Sequence, residues 1–274
     1  MSQTTSLRSL RVSIADGIAE VELTGPSKGN AMGPDFWKEL PQVFDALSDD
    51  GSVRAVLLYG SGGNFSFGLD LPAMAPVFAP MLAAGGMDAR LRDGFRRQIK
   101  NLQDSVNSLS RCSKPVIAAV DGWCIGGGID VITAADIRIA SPSATFSVRE
   151  VRVGIVADLG SLQRLPSIIG EGPARHLALT GEDFGADRAR SLGLVTEVAD
   201  DVVGRGRELA SAVAANPPLV VQGVKHVMSR AQDASVQAGL DYVQLWNTAF
   251  LASHDFNEAA TAFAERRPAV FTGN

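Results

Sequence analysis

Histidine, cysteine and aromatic residues are scarce in this sequence, and their scarcity excludes several classes of site. The 274-residue chain holds 3 His and 2 Cys, and aromatic residues make up 6% of it. Cys112 and Cys124 lie in or near apolar segments, with a spacing that fits neither a disulfide framework nor a metal site. The histidines, at 176, 226 and 254, are scattered over predicted helices and are typical of surface or packing positions. We therefore expect no metal, and the unpaired thiols indicate a reducing compartment.

Concentrated positive charge and the common nucleotide motifs are also absent. The net charge is −5 and no dense basic cluster interrupts the chain, so we expect no nucleic-acid partner. The sequence contains no G-x-x-x-x-G-K-[ST] loop and no G-x-S-x-G elbow. Residues 71–87 are uncharged, but Pro72, Pro76 and Pro80 argue against a membrane-spanning helix there.

Targeting signals are equally hard to find at either end of the sequence. The opening residues, MSQTTSLRSLRVS, contain no apolar run of the kind that a secretory signal needs, although the serines and arginines that precede the first acid leave a transit peptide as an alternative. The final residues, FTGN, do not match a peroxisomal address. Together with the unpaired cysteines, these features lead us to expect a cytoplasmic location.

Hydrophobic periodicity predicts strand–helix repeats followed by a helical tail. The first two strands are expected to form a hairpin across Asp16-Gly17. The predicted strands cover residues 10–14, 18–23, 55–59, 115–120, 145–148 and 195–198. The predicted helices cover residues 34–47, 88–110, 129–135, 172–180, 185–191, 202–215, 218–231, 234–254 and 257–266.

A glycine cluster follows the most apolar predicted strand. Gly126-Gly127-Gly128 stands at the entrance of the helix predicted over 129–135. Glycines there leave backbone N–H groups bare at the positive end of the helix dipole. Such groups suit an oxygen that carries or develops negative charge, although tight packing would also explain the glycines.

Three acids lie close to this cluster in the sequence. Asp130 falls in the first turn of the predicted helix, and Glu150 follows the predicted strand 145–148. Asp158 is embedded among apolar neighbours, a setting that raises a carboxyl pKa and suits proton transfer. Structural alternatives remain, since Asp130 could complement the helix dipole and Asp158 could cap a helix that starts near Leu159.

A second oxygen-binding loop follows the predicted strand 55–59 and reads SGGNFSFGLDL over residues 61–71. Its F-x-x-G-x-D pattern, paired with the later G-G-G-x-[DE] helix entrance, resembles the enoyl-CoA hydratase/isomerase (crotonase) family. The resemblance extends from Gly29-Asn-Ala-Met32 to Glu265-Arg-Arg-Pro268. It implies that the backbone amides of Leu69 and Gly127 form an oxyanion hole for a coenzyme A thioester, with Gly68 and Gly126 beside them.

Within that family the chain is most similar to the Δ3,5-Δ2,4-dienoyl-CoA isomerases. The similarity rests on the stretches at 114–120, 124–130, 149–151 and 153–166, although Arg152 stands where those isomerases carry an acid. The resemblance implies that Glu150 is the base at C2, that Asp158 is the acid near C6, and that Asp130 tunes or orients them. Hydratases share the first two acidic positions but generally lack the third, so hydration of a 2-enoyl-CoA is the alternative. A non-catalytic acyl-CoA-binding member of the fold is a third possibility.

The same resemblance implies an architecture and a set of partners. The expected fold is an α/β, crotonase-like spiral of ββα units with a C-terminal helical trimerisation region. Residues 1–198 would hold the core and the site, and residues 199–274 the helical region. Met74, Phe78 and Met81 would line the acyl pocket, while Phe263 and Arg266 would hold the nucleotide end of coenzyme A. We expect a trimer or a dimer of trimers, and no cofactor other than the coenzyme A of the substrate.

Overall fold

A mostly parallel β-sheet forms the centre of the protein. The computed structural model describes residues 3–79 and 88–274. The strands in these ranges are β1 (Gln3–Ser6), β2 (Leu10–Ala15), β3 (Ile18–Leu23), β4 (Ala55–Gly60), β5 (Val116–Val120), β6 (Trp123–Ile125), β7 (Ile137–Ala140), β8 (Thr145–Ser147), β9 (Phe184–Gly185) and β10 (Glu197–Val198). The main sheet has the order β1-β2-β3-β4-β5-β7-β10 and is parallel from β3 onward, while β6, β8 and β9 form a second, small sheet.

Helices cover both faces of the main sheet and form the C-terminal part of the chain. In the described ranges they are α1 (Pro34–Asp49), α2 (Leu71–Phe78), α3 (Ala89–Arg111), α4 (Gly127–Thr133), α5 (Ser161–Ile169), α6 (Glu171–Thr180), α7 (Ala186–Leu192), α8 (Val202–Ala214), α9 (Pro218–Phe250) and α10 (His254–Glu265). None of these described helices is long and apolar enough to cross a lipid bilayer.

The central strands are apolar on both faces because both faces are covered. In β4, Val56 and Leu58 belong to the main core, which also contains the buried faces of α1 and α3. Ala55 and Leu57 point to the opposite face, where they pack in a second cluster with Ala210 of α8. This two-sided burial explains why β4 and β5 read as continuous apolar runs rather than as alternating ones.

Several sequence predictions are confirmed by these elements, and one is wrong. The hairpin is present, with Ala15 paired to Ile18 across a turn in which both Asp16 and Gly17 have positive φ. The two helices predicted over 218–231 and 234–254 are instead the single helix α9. No proline or glycine lies between Ala231 and Ala234, so nothing in the backbone stops the helix there. The division into residues 1–198 and 199–274 stays a prediction.

Candidate active site

A cavity of about 670 Å³ opens beside the carboxyl end of β4. Its walls come from the loop that follows β4, from α2 and α3, from the entrance of α4, and from the ends of α9 and α10. Apolar side chains on α3, α9 and the segment before α5 form much of the lining: Phe95, Ile99, Leu102, Ile155, Leu159 and Leu251. Such a cavity can take an extended apolar chain with a few polar groups to orient it.

The loop after β4 is held against the small sheet by backbone hydrogen bonds. The Phe65 amide donates to the Asp121 carbonyl at 2.8 Å, and the Ser66 amide donates to the Trp123 carbonyl at 2.9 Å. The Ile125 amide returns a bond to the Ser66 carbonyl at 3.1 Å. These bonds place the loop directly beside the chain that leads into α4.

Gly68 and Gly126 allow the two backbone segments to approach closely. Gly68 has a φ of +79°, and a Cβ on it would lie 2.7 Å from the Ile125 carbonyl oxygen and 3.2 Å from the Gly127 nitrogen. Gly126 has a φ of +54°, and a Cβ there would lie 3.4 Å from the Glu150 Oε1 atom. Only glycine combines this backbone conformation with this lack of space.

The amides of Leu69 and Gly127 are therefore neighbours in the cavity wall. Both residues line it, and among the described residues neither amide donates to a protein acceptor. The Gly127 amide is free because it belongs to the first turn of α4, where helical acceptors are lacking. Two free donors of this kind suit an oxygen that develops negative charge.

Asp130 lies one turn into α4, and its side chain is 1% exposed. Its Oδ1 accepts a hydrogen bond from the Ser161 amide at 2.6 Å, so it also supports the first residue of α5. Burial raises the pKa of Asp130 to about 6, against the lowering effects of the Ser161 bond and the positive charge of Arg164. This carboxyl thus does more than complement the dipole of its own helix.

Glu150 begins the 3-10 turn Glu150–Val153 and lines the cavity near Gly126. Its Oε2 atom is buried and has no hydrogen-bond partner among the described residues. Burial raises the pKa of Glu150 to about 8, and the negative charges of Asp130 and Asp158 add to this effect. A carboxyl with such a pKa can both accept and return a proton near neutral pH.

Asp158 also lines the cavity and lies in the chain between the 3-10 turn and α5. Its Oδ2 accepts a hydrogen bond from the Asn247 Nδ2 atom of α9 at 2.8 Å. Burial raises the pKa of Asp158 to about 7, while the Asn247 bond opposes that rise. The helix that follows starts at Ser161 with Gly160 as its cap, so the alternative of Asp158 as a helix cap is wrong.

Only some of the other predicted binding residues line the cavity. Phe78 and Phe263 line the cavity. The prediction of Met74 as a lining residue is wrong, because its side chain packs within the main core and is not part of the cavity wall that the described residues form. Arg266 ends α10 in a left-handed conformation and is exposed, outside the cavity wall that the described residues form. Met81 lies outside the described residues.

Arg152 is directed away from the three acids. Its Nη1 atom lies 3.8 Å from the Asp183 Oδ1 atom, and its side chain is 46% exposed. Asp183 also pairs with Arg149, so both arginines share one surface acid. In the described part of the chain, the charges that shift the pKa of Glu150 are those of Asp130 and Asp158, and Arg152 is not one of them.

The sequence analysis did not predict the residues that contact the acids or their neighbours from other helices. Asn247 and Gln103 come from helices α9 and α3, and Gln103 donates to the Asp158 carbonyl at 2.8 Å. Arg164 is 7% exposed and donates through Nη2 to the Asn107 side chain. These contacts join positions at least 55 residues apart, and no local sequence signal could have revealed them.

Comparison with known proteins agrees with the geometry. The model of the family described as enoyl-CoA hydratase/isomerase matches residues 13–274. A Dictyostelium discoideum protein named Delta(3,5)-Delta(2,4)-dienoyl-CoA isomerase, mitochondrial, is 42% identical over 94% of this chain and 88% of its own. The peroxisomal protein of the same activity name from Arabidopsis thaliana is 39% identical over 98% of both chains. A crystal structure of an enoyl-CoA hydratase/isomerase from Pseudoalteromonas atlantica T6c superposes with a TM-score of 0.83, at 28% identity, over 96% of this chain and 100% of that one.

These relatives overturn the expectation of a cytoplasmic location. They are named mitochondrial or peroxisomal. The expectation rested largely on unpaired cysteines, Cys112 and Cys124, which are both buried and free. Free thiols exclude only an oxidising environment and cannot distinguish one reducing compartment from another.

Proposed function

This chain belongs to the enoyl-CoA hydratase/isomerase family and has its α/β fold, and from that premise we propose that it converts 3,5-dienoyl-CoA to 2,4-dienoyl-CoA. The observation that carries the proposal is the third acid. Asp158 lines the same cavity as Asp130, Glu150 and the residues with free amides, Leu69 and Gly127. Hydration needs acids only near C2 and C3, whereas moving two double bonds needs a proton donor at C6 as well.

The first half of the reaction takes a proton from C2. The amides of Leu69 and Gly127 donate to the thioester carbonyl oxygen, which places C2 near Glu150. The reactive form of the site has Glu150 ionised and Asp158 protonated, and it coexists with the reverse form near neutral pH because the pKa values of the two groups are raised to about 8 and about 7. The Glu150 carboxylate removes the C2 proton, the electrons of that C–H bond form a C1–C2 double bond, and the carbonyl π electrons move onto the oxygen to give a trienolate. Its negative charge is stabilised by the two amides, each of which is worth roughly 3 kcal/mol in comparable sites.

The second half returns a proton at C6. As the carbonyl re-forms, a double bond is made between C2 and C3, the C3–C4 double bond moves to C4–C5, and the C5–C6 pair accepts a proton from Asp158. Glu150 ends protonated and Asp158 ends ionised, so one proton must pass back between them before the next turnover. Asp130 lies close enough to raise the pKa of both groups, and the three carboxyls titrate as a set.

Proton transfer between carbon and carboxyl groups needs no redox or metal chemistry, so we propose that coenzyme A enters only as part of the substrate. We further propose that the protein is a homo-oligomer, a trimer or a dimer of trimers. One face of α9 supports this, because it leaves several large apolar side chains exposed: Leu219, Val220, Val227, Met228, Tyr242 and Phe250. An exposed apolar surface of this kind is typical of a protein interface.

A turnover screen with thioesters tests the proposed reaction. The protein should convert a 3,5-dienoyl-CoA to a product with the ultraviolet absorbance of a conjugated 2,4-dienoyl thioester. The Asp158→Asn variant should lose most of this activity but keep hydrogen exchange at C2, because Glu150 is unchanged. Hydration of a 2-enoyl-CoA without diene formation would identify the protein as a hydratase and refute the proposal, and binding without exchange or turnover would make it non-catalytic.

A further inference from the structure

Asp158 is hydrogen-bonded by a residue of α9, a helix that contributes no acid to the site. Asn247 of α9 is 1% exposed, and its Nδ2 atom donates to the Asp158 Oδ2 atom and to the Val156 carbonyl, at 2.8 Å each. From the other side, Gln103 of α3 donates to the Asp158 carbonyl at 2.8 Å and to the Leu240 carbonyl at 3.1 Å. The backbone and one carboxyl oxygen of Asp158 are thus fixed separately.

The Val156 carbonyl decides which way the Asn247 amide is oriented. A carbonyl oxygen can only accept, so it requires the NH₂ end of the amide on its side. Rotating the amide by half a turn would set the Asn247 oxygen against that carbonyl and against a carboxyl oxygen. Both hydrogens of Nδ2 are therefore committed, one to Val156 and one to Asp158.

This orientation restricts where Asp158 can carry its own proton. Oδ2 faces an N–H and must act as an acceptor, so a proton on Asp158 has to reside on Oδ1. Apart from the Asp158 amide, which contacts its own carboxyl, no residue in the described part of the chain donates to Oδ1, and Asp158 lines the cavity. We propose that Asn247 is a positioning residue, which fixes Asp158 so that its transferable proton sits on Oδ1, toward the distal end of the substrate diene.

The charges around Asp158 give this proposal a distinctive pH signature. The charged groups facing it are Asp130 on α4 and Glu150 on the 3-10 turn, while Arg164 on α5 acts through Asp130. Donation from Asn247 favours the ionised form of Asp158 and lowers its pKa, whereas burial and Asp130 raise it. Removing the donor must raise the pKa of Asp158 and move the pH profile of isomerisation to higher pH.

The test rests on the proposed isomerisation and uses the Asn247→Leu variant, which keeps side-chain volume but cannot donate. Isomerisation of a 3,5-dienoyl-CoA should fall by about 10- to 100-fold, as expected for a misaligned donor. Exchange at C2 should stay within about twofold of the parent rate, because Glu150 and the oxyanion amides are untouched. The remaining isomerisation should show its pH profile shifted to higher pH.

Two further variants separate positioning from general damage. Gln244→Leu removes another buried polar side chain one turn earlier on α9, one that does not contact Asp158, and should leave isomerisation and its pH profile unchanged. Asn247→Asp keeps the shape and can donate only when its own carboxyl is protonated, so its isomerisation should recover, relative to the parent, at low pH.

Each contrary result has a separate meaning. Full isomerisation with an unshifted pH profile in Asn247→Leu would refute the positioning role and leave the proposed reaction intact. Equal losses of C2 exchange and isomerisation, or the same loss in Gln244→Leu, would also refute it. A parent protein that never forms the 2,4-diene would instead refute the proposed reaction, and the role of Asn247 with it.

Discussion

The three carboxyl groups differ in the hydrogen-bond donors and the charges that surround them. Asp130 receives the Ser161 amide and feels the positive charge of Arg164, and its pKa is raised only to about 6. Asp158 receives one amide hydrogen from Asn247, and its pKa is raised to about 7. Glu150 has a buried Oε2 atom without a partner in the described part of the chain, and its pKa is raised to about 8. Burial raises all three values; the Ser161 and Asn247 donors oppose that rise at Asp130 and Asp158, and the negative charges of Asp130 and Asp158 add to it at Glu150.

At the residue scale, the Glu150→Gln variant tests whether Glu150 is the base that removes the C2 proton. The variant keeps the size of the side chain but cannot accept a proton, so exchange at C2 and isomerisation should both fall by roughly 10²- to 10⁴-fold. Thioester binding should be nearly unchanged, since the amides of Leu69 and Gly127 remain. Deuterium incorporation at C2, measured by NMR, checks the first claim and calorimetric titration the second. Normal exchange would mean that another group is the base.

The raised pKa values also predict how stability depends on pH. The unfolded chain ionises these acids near their ordinary values of 3.8 and 4.5, whereas the folded chain keeps them protonated up to about pH 6 to 8. The folded state therefore binds more protons in this window, and the free energy of unfolding should fall as pH rises from about 4 to 8. Urea unfolding of the parent and of Glu150→Gln should diverge over this range, with the variant gaining in relative stability. A constant difference between them would show that Glu150 has an unshifted pKa.

At the scale of secondary structure, the first turn of α4 supplies a functional group from the main chain, the backbone amide of Gly127. Its free amide exists because a helix cannot satisfy its own first N–H groups, and its approach to the β4 loop depends on Gly68 and Gly126. The chemistry is thus carried by main-chain atoms, and side chains can change it only through local geometry.

Gly127→Pro removes the amide hydrogen at the first position of α4, where a proline ring suits the helix. The matched control is Gly127→Ala, which adds the same Cβ, 3.1 Å from the Met32 sulfur, but keeps the N–H. The proline variant should have a kcat roughly 10²- to 10³-fold below that of the alanine variant. Equal rates for the two folded variants would exclude Gly127 as an oxyanion donor.

Elements and acids were predictable where a local pattern specified them. The apolar run before Asp121 predicted β5, and the glycines marked the start of α4. The helix break predicted near residue 232 is wrong, because no proline or glycine stands there to end the helix. Asn247 could not be found at all, since its role depends on a contact with Asp158 across 89 residues.

At the scale of the whole molecule, α9 links the site to the surface. One face of the helix is buried and includes Leu240, Val243 and Asn247, which supports the site. The opposite face carries exposed apolar residues from Leu219 to Phe250, a span of roughly 45 Å at the usual helical rise. The helix that presents this exposed face is therefore also the helix that holds Asp158 through Asn247.

The oligomer prediction follows from that exposed face. Val227 and Trp246 are 72% and 43% exposed, and substituting both by Glu places charge in any interface that they form. The parent should sediment as a trimer or a dimer of trimers, and the double variant as a smaller species. Leu179→Glu, which changes an equally exposed apolar residue on α6, should keep the parent's mass. A parent that sediments as a monomer would refute the oligomer, whereas an unaltered assembly in the double variant would place the interface on another surface.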